Sequence, residues 1–189
     1  MADRDISQIS SEDWASWSED PSIYQRLERG EDLSQFFEEQ EMTEWADDYK
    51  LMARRLQREA STHTIEQATL YRGERFDSLE DAKRKYAVGN TITTDKLTSY
   101  STDVELAKGY ATMYGNSKVA VVIENTNTNG KSVGLRANHQ GYSQGKDPEV
   151  IVARGSESEV ASTRYDAKKN ILYVKMTSKN KPKKKRGKL

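Results

Sequence analysis

The sequence predicts an α+β protein. Three observations point there. The first sixty residues carry apolar side chains at helical spacings among many acids. From about residue 68 onward, short runs of β-branched and aromatic residues alternate with turn-forming Asn, Gly and Thr. Helical patterns precede most of the strands instead of alternating with them, which favours an antiparallel or mixed sheet over a wholly parallel one. At 189 residues the chain suits one domain. We divide it into a helical part over 1–60, a β-rich core over 61–178 and a basic tail over 179–189.

Residues 1–30 hold Trp14, Trp17, Ile23, Tyr24 and Leu27, with Pro21 between the two clusters, and predict short helices or an ordered arm. Met42, Trp45, Tyr49, Met52 and Leu56 make one stripe at spacings of three and four, predicting a helix over Ser34 to Glu59. Its acids crowd the first half and its bases the second, matching the helix dipole. Ala68 to Tyr71 reads as a strand leading into Arg72, and Ser78 to Tyr86 as a short helix. Val88 to Thr93 and Leu97 to Ser101 read as extended. Thr102-Asp-Val-Glu105 fits a capping box, so Thr102 is expected to cap a helix that carries Val104, Ala107, Ala111 and Tyr114 and ends at Gly115. On such a helix Tyr110 and Tyr114 are expected to be core residues. Lys118 to Glu124, Ser132 to Arg136, Pro148 to Arg154 and Ile171 to Thr177 complete the strands. The tail from Lys179 has too few apolar residues to offset its ordering entropy, and disorder is expected there.

Composition narrows the chemistry. There is no cysteine and there are only two histidines, His63 and His139, so a disulfide framework, a thiol nucleophile and a thiolate zinc site are excluded, and a histidine-based site is poorly supported. His139 is expected to make an ordinary loop hydrogen bond. No apolar run approaches the roughly 18 residues of a membrane span, and the start lacks a signal-peptide pattern, so a cytoplasmic monomer is the expectation. The formal net charge of zero conceals a division. Residues 1–60 hold sixteen acids against seven bases, whereas residues 168–189 hold ten bases and no acid. The ends should therefore meet different partners, or each other.

The candidate site is built from Arg72, Ser101 and Glu149, each at or beside a predicted strand end. Arg72 offers a rigid guanidinium suited to phosphate, and Gly73 a backbone that a planar amide can approach. Pro148 biases Asp147 toward an extended shape, which puts Asp147 and Glu149 on one side of their strand. Paired acids beside a cation suit bond cleavage at a sugar carbon through an oxocarbenium-like state, and Ser101 would orient the carboxylate.

Tyr71-Arg72-Gly73, Leu97-Thr-Ser-Tyr-Ser-Thr102 and Glu149-Val-Ile-Val-Ala-Arg-Gly-Ser156 occur in that order. Together they resemble the three motifs of the mono-ADP-ribosyltransferases of the Arg-Ser-Glu class, over roughly residues 65–177. In size and basic ending the chain is also similar to the small T-even bacteriophage enzymes that modify host transcription and translation proteins. The resemblance implies a mixed β-sandwich around an NAD cleft with N-terminal helices, NAD as co-substrate and no metal. It also implies that Tyr71, Arg72 and Gly73 bind NAD, that Ser101 positions Glu149, and that Glu149 bonds the nicotinamide-ribose 2′-hydroxyl. The serine motif departs from the family pattern at Asp103. Asp147 stands where the family carries Glu or Gln, and an acid there suits an arginine-type acceptor. Acceptor recognition is expected at Asp147 and at the loop before it, where Tyr142 is the aromatic residue and Gln144 and Lys146 flank the approach.

Glu157-Ser-Glu159 offers a competing frame, but Glu149 is the one followed by the branched run and Arg-Gly-Ser, so Glu157 and Glu159 are read as surface residues on a strand. Two other functions compete with protein modification. One is an NAD glycohydrolase with water as acceptor. The other is a non-enzymatic RNA- or ribosome-binding module acting through Lys179 to Leu189, by counterion release. The tail also suits delivery of the enzyme to a ribonucleoprotein.

Overall fold

The computed structural model describes residues 20–113, 115–136 and 148–184. Helix α1 (Pro21–Glu28) begins with proline in its first turn and is capped by Asp20, which accepts a hydrogen bond from the Ser22 amide at 3.0 Å. Helix α2 (Ser34–Glu39), a 3₁₀ turn (Thr43–Trp45) and helix α3 (Ala46–Thr62) occupy the stretch predicted as one helix. The break is conformational. Glu41 has φ of +57°, a left-handed backbone that a continuing helix cannot contain. The turn swings Phe37 back onto Tyr49, with ring centroids 5.6 Å apart, while Tyr24 stacks on Tyr49 at 5.4 Å. Met52 and Leu56 are buried as the stripe predicts, but Trp45 is 53% exposed because it lies in the turn.

The first strands are β1 (Thr64–Ile65), β2 (Thr69–Phe76), β3 (Thr91–Thr93), β4 (Thr98–Ser101) and β5 (Val119–Asn127). They are followed by β6 (Ser132–Val133), β7 (Leu135–Arg136), β8 (Glu149–Val152), β9 (Glu157–Asp166) and β10 (Ile171–Ser178). Helix α4 (Leu79–Lys85) follows β2, and helix α5 (Val104–Thr112) follows β4. Among the described residues the strands form a small β1–β6 pair and one eight-stranded sheet of order β3-β9-β10-β5-β2-β4-β8-β7. Only β5 and β10 in that sheet run parallel to one another. Both are central, which explains the nearly continuous Val-Ala-Val-Val-Ile of β5. Glu157 and Glu159 lie exposed on β9, as read.

The site depends on one irregularity of this sheet. β2 pairs with β5 along its whole length, from Thr69↔Thr126 to Phe76↔Val119, but with β4 only at Tyr71↔Ser101. Continued in antiparallel register, Gly73 would face Ser99, and that pair is not made. The sheet therefore opens beyond Tyr71 into a five-stranded half, β3-β9-β10-β5-β2, and a three-stranded half, β4-β8-β7. This is the expected mixed helix-and-sheet fold with N-terminal helices, and the gap between the halves is its cleft.

One expectation about β2 is corrected here, and one is extended. The strand does not end at Arg72 but runs on to Phe76, so Arg72 sits beside the opening from the middle of a strand. Gly73 is required by packing. A Cβ there would lie 2.2 Å from the Ala107 carbonyl oxygen and 2.8 Å from the Ala111 nitrogen, both backbone atoms of α5. The missing side chain lets α5 lie directly on β2, which places one helix face at the rim of the cleft.

The helical part is tied to the far side of the cleft by polar contacts. The Gln57 side chain brackets the Arg154 backbone, accepting from its amide at 2.9 Å and donating to its carbonyl at 3.2 Å. Arg154 Nε pairs with Glu28 at 3.0 Å, and the Gln25 amide donates to the Leu97 carbonyl at 2.7 Å. The basic tail is anchored further along than its composition suggests. The Asn180 carbonyl accepts from the side chains of Asn127 and Asn129, and the Lys183 amide donates to the Ser61 carbonyl at 2.8 Å. The rest of the tail, 185–189, lies outside the described residues.

Gly73→Ala should lower unfolding free energy by about 3 kcal/mol, since backbone atoms must move to admit the methyl. Urea denaturation checks this, and an unchanged midpoint would mean that α5 does not rest on β2.

Candidate active site

Arg72 crosses the opening. Alternation along β2 puts Arg72 and Glu74 on one face and Tyr71 and Gly73 on the other, together with Ser101 and Glu149, which share a row with Tyr71. Because β4 has parted from β2 at this point, the Arg72 guanidinium can enter the gap. Its Nη1 donates to the Ser99 carbonyl at 2.6 Å and its Nε to Glu74 Oε1 at 3.1 Å.

Glu74 is a mostly buried acid with three donors. Besides Arg72 it accepts from the Tyr86 hydroxyl at 2.6 Å and from Lys85 at 3.1 Å, both at the end of α4. Burial by itself pushes the Glu74 carboxyl up, but the Tyr86 hydrogen bond and the Lys85 and Arg72 charges outweigh it and hold the group below its ordinary 4.5. Burial, reinforced by Glu74, drives the Tyr86 phenol far above its usual value. The Tyr100 phenol is also raised by burial, with Arg72 opposing.

On the other side of the gap, β8 brings Glu149 opposite Ser101. The Thr102 amide donates to the Pro148 carbonyl at 2.9 Å, which fixes the start of β8 against the end of β4. The carboxylate, however, is held by Ser99, whose hydroxyl donates to Glu149 Oε1 at 2.5 Å. Ser101, expected to position Glu149, stands directly opposite it in the strand register. The Ser101 hydroxyl accepts from the Asp103 amide at 2.9 Å, which helps to start α5. The cap of α5 is likewise Asp103, which accepts from the Glu105 amide at 2.8 Å, and not Thr102.

Tyr71, Arg72, Gly73, Ser101 and Glu149 all line one cavity of about 530 Å³, a size within the range of ligand pockets. Its other walls include Ser99, Gln25, Lys96, Leu106 and Tyr110. None of these five is a site residue by the sequence reading. Ser99 is within that reading's reach, since it lies two residues before Ser101 and so on the same side of β4. Gln25 and Lys96 carry no local signal, because only tertiary packing brings them here. Tyr110 is 54% exposed, not a core residue, and Arg75 lies over its ring at 4.6 Å. Tyr114, His139, Tyr142, Gln144, Lys146 and Asp147 lie outside the described residues. Among the described residues no group of three or more acidic or histidine side chains is placed to hold a metal ion.

No family model and no curated protein matches the chain. Its fold does match solved structures. Vis toxin, an ADP-ribosyltransferase from Vibrio splendidus, aligns over 92% of this chain and 75% of its own with a TM-score of 0.61 and 18% identity. A structure of Vis in complex with agmatine gives 89% and 73%, 0.61 and 19%. An ADP-ribosyltransferase from Clostridium botulinum gives 89% and 85%, 0.61 and 15%. The chain thus has the fold of ADP-ribosyltransferases.

Because the folded state lowers the Glu74 pKa, its ionised form adds stability that is fully present above the unfolded value near 4.5 and disappears as pH falls through the lower folded value. Glu74→Gln should therefore reduce stability at neutral pH, by about 1–3 kcal/mol for a charged hydrogen-bond acceptor lost from a largely buried site. It should also flatten the decline below pH 4.5. Denaturation at a series of pH values tests both, and an unaltered acid slope would show that Glu74 is not held ionised by the fold.

Proposed function

We propose that this chain is an NAD-dependent mono-ADP-ribosyltransferase that modifies host proteins, on arginine, in the cytoplasm. The observation that carries the reading is the hydrogen-bonded series from Arg72 through Ser99 to Glu149, set around one cavity in a fold shared with ADP-ribosyltransferases.

In this reaction the cavity binds NAD with its nicotinamide end between the Tyr71–Gly73 segment and Glu149. Arg72 keeps hydrogens on Nη2 that point to an anion while Nε and Nη1 fix the plane of the guanidinium. The Glu149 carboxylate, oriented by Ser99, bonds the ribose 2′-hydroxyl and offsets the positive charge that develops on the sugar. The bond between the ribose C1′ and the pyridinium nitrogen breaks, its electron pair leaves with neutral nicotinamide, and an acceptor nitrogen attacks C1′ and then loses its proton. Ser101 supports this indirectly by fixing the start of α5.

The arginine acceptor rests on two supports. Asp147, two residues before Glu149, supplies a carboxylate suited to a guanidinium. Agmatine, which Vis binds, carries the same guanidinium as an arginine side chain. The tail supports a ribonucleoprotein target: Lys179, Lys181, Lys183 and Lys184 are exposed beside the Asn180 anchor, and no ion pair engages them among the described residues.

Incubating the protein and labelled NAD with a bacterial lysate should label discrete proteins at arginine. Glu149→Ala should reduce transfer about a thousandfold, the scale of a lost electrostatic stabiliser. Label retained by the variant would remove Glu149 from the chemistry, and nicotinamide release without labelled protein would identify water as the acceptor. Ser99→Ala should reduce kcat about tenfold, whereas Ser101→Ala should lower mainly stability; the reverse ranking would restore Ser101 as the residue that positions Glu149.

A further inference from the structure

Arg72 is expected to hold the phosphates of NAD, yet two of its donors are taken within the protein and it shares Glu74 with Lys85. Glu74 accepts from its Nε at 3.1 Å, and the Ser99 carbonyl takes Nη1 at 2.6 Å. A pyrophosphate brings two negative charges into a cavity that also contains the Glu149 carboxylate. Arg72, Lys85 and Glu74 together leave a single positive charge, so the cavity needs a second cation to make that binding favourable.

Lys96 is placed to supply it. It lines the same cavity, half-buried, and no acidic side chain pairs with it among the described residues. Its backbone is held on the C-terminal side. The Thr98 hydroxyl donates to the Lys96 carbonyl at 2.8 Å, and Gln25 donates to the Leu97 carbonyl at 2.7 Å. The stem thus starts from a fixed point while its ammonium remains unpaired. Lys96 lies at a bend three residues before Ser99. An ammonium also suits this task, being a point charge that tolerates several phosphate geometries.

The geometry points to Lys96 as a second cation that binds the pyrophosphate of NAD, beside Arg72, whose Nε and Nη1 brace the opening. The assignment rests on the NAD reading above.

Nicotinamide release at varied NAD concentration, for the wild type, Lys96→Ala, Lys96→Met and Lys96→Arg, tests it. Both neutral variants should raise KM for NAD about tenfold with kcat within about threefold, the pattern of lost uniform binding. Lys96→Arg should recover most of the affinity. Inhibition by ADP-ribose, which keeps the pyrophosphate, should weaken in parallel, while inhibition by nicotinamide should not change. Unchanged KM in folded neutral variants, or equal weakening of both inhibitors, would overturn the assignment and leave the NAD reading intact. A wild type that neither binds nor consumes NAD would overturn that reading and this one together.

Discussion

The hydrogen bond from Arg72 to the Ser99 carbonyl joins two strands that no longer pair. Beyond Tyr71↔Ser101 the edges of β2 and β4 separate, and backbone groups that a closed sheet would satisfy are left facing a gap. A guanidinium can span such a gap because its donors are fixed in one plane and remain charged at any physiological pH. Glu74 holds that plane from behind, and Tyr86 and Lys85 hold Glu74. Ser99 then uses both of its polar groups, its carbonyl receiving Arg72 and its hydroxyl giving to Glu149. One residue thereby couples the brace of the opening to the carboxylate within it.

The surrounding elements keep that coupling rigid. α5 closes on β2 through the bare backbone of Gly73, so Leu106 and Tyr110 stand at the cavity rim without a side chain wedged beneath the helix. The helical part contributes Gln25 to the opposite wall and is fastened to the chain beyond β8 by Gln57, Glu28 and Arg154. Since Arg154 lies two residues after the strand that begins with Glu149, its contacts resist any shift of β8 relative to the helices. A cleft framed on strands and capped helices suits a reaction in which small displacements of a carboxylate cost much of the rate.

Much of this arrangement is legible in the sequence because its chemistry depends on residue types in a fixed order. Arg72 and Glu149 stand out that way, and the structure brings both to one cavity. The assignment of Ser101 over Ser99 illustrates a limit. Residues two apart on a strand face the same side, so sequence alone cannot say which hydroxyl meets the carboxylate; in the structure Ser99 donates to it, while Ser101 accepts from the Asp103 amide. Gly73 shows another, since its need for hydrogen in place of a side chain arises from a helix that follows it by some thirty residues. The break at Glu41 escapes the sequence reading, and β9 shows in it only at Glu157 and Glu159. An acid in a left-handed turn has no compositional mark, and β9 exposes most of its side chains, so it lacks the apolar run that reveals β5. Lys96 and Gln25 reach the cavity only through packing that no local pattern records.

The central claim is that the gap braced by Arg72 is where the nicotinamide end of NAD lies. A crystal structure of the Glu149→Gln variant with NAD bound tests it most directly. The account predicts the nicotinamide ribose within hydrogen-bond reach of residue 149, beside Ser99. Dinucleotide density instead in the neighbouring groove lined by Lys108, Arg164 and Tyr173, with the gap beside Ser99 unfilled, would contradict it.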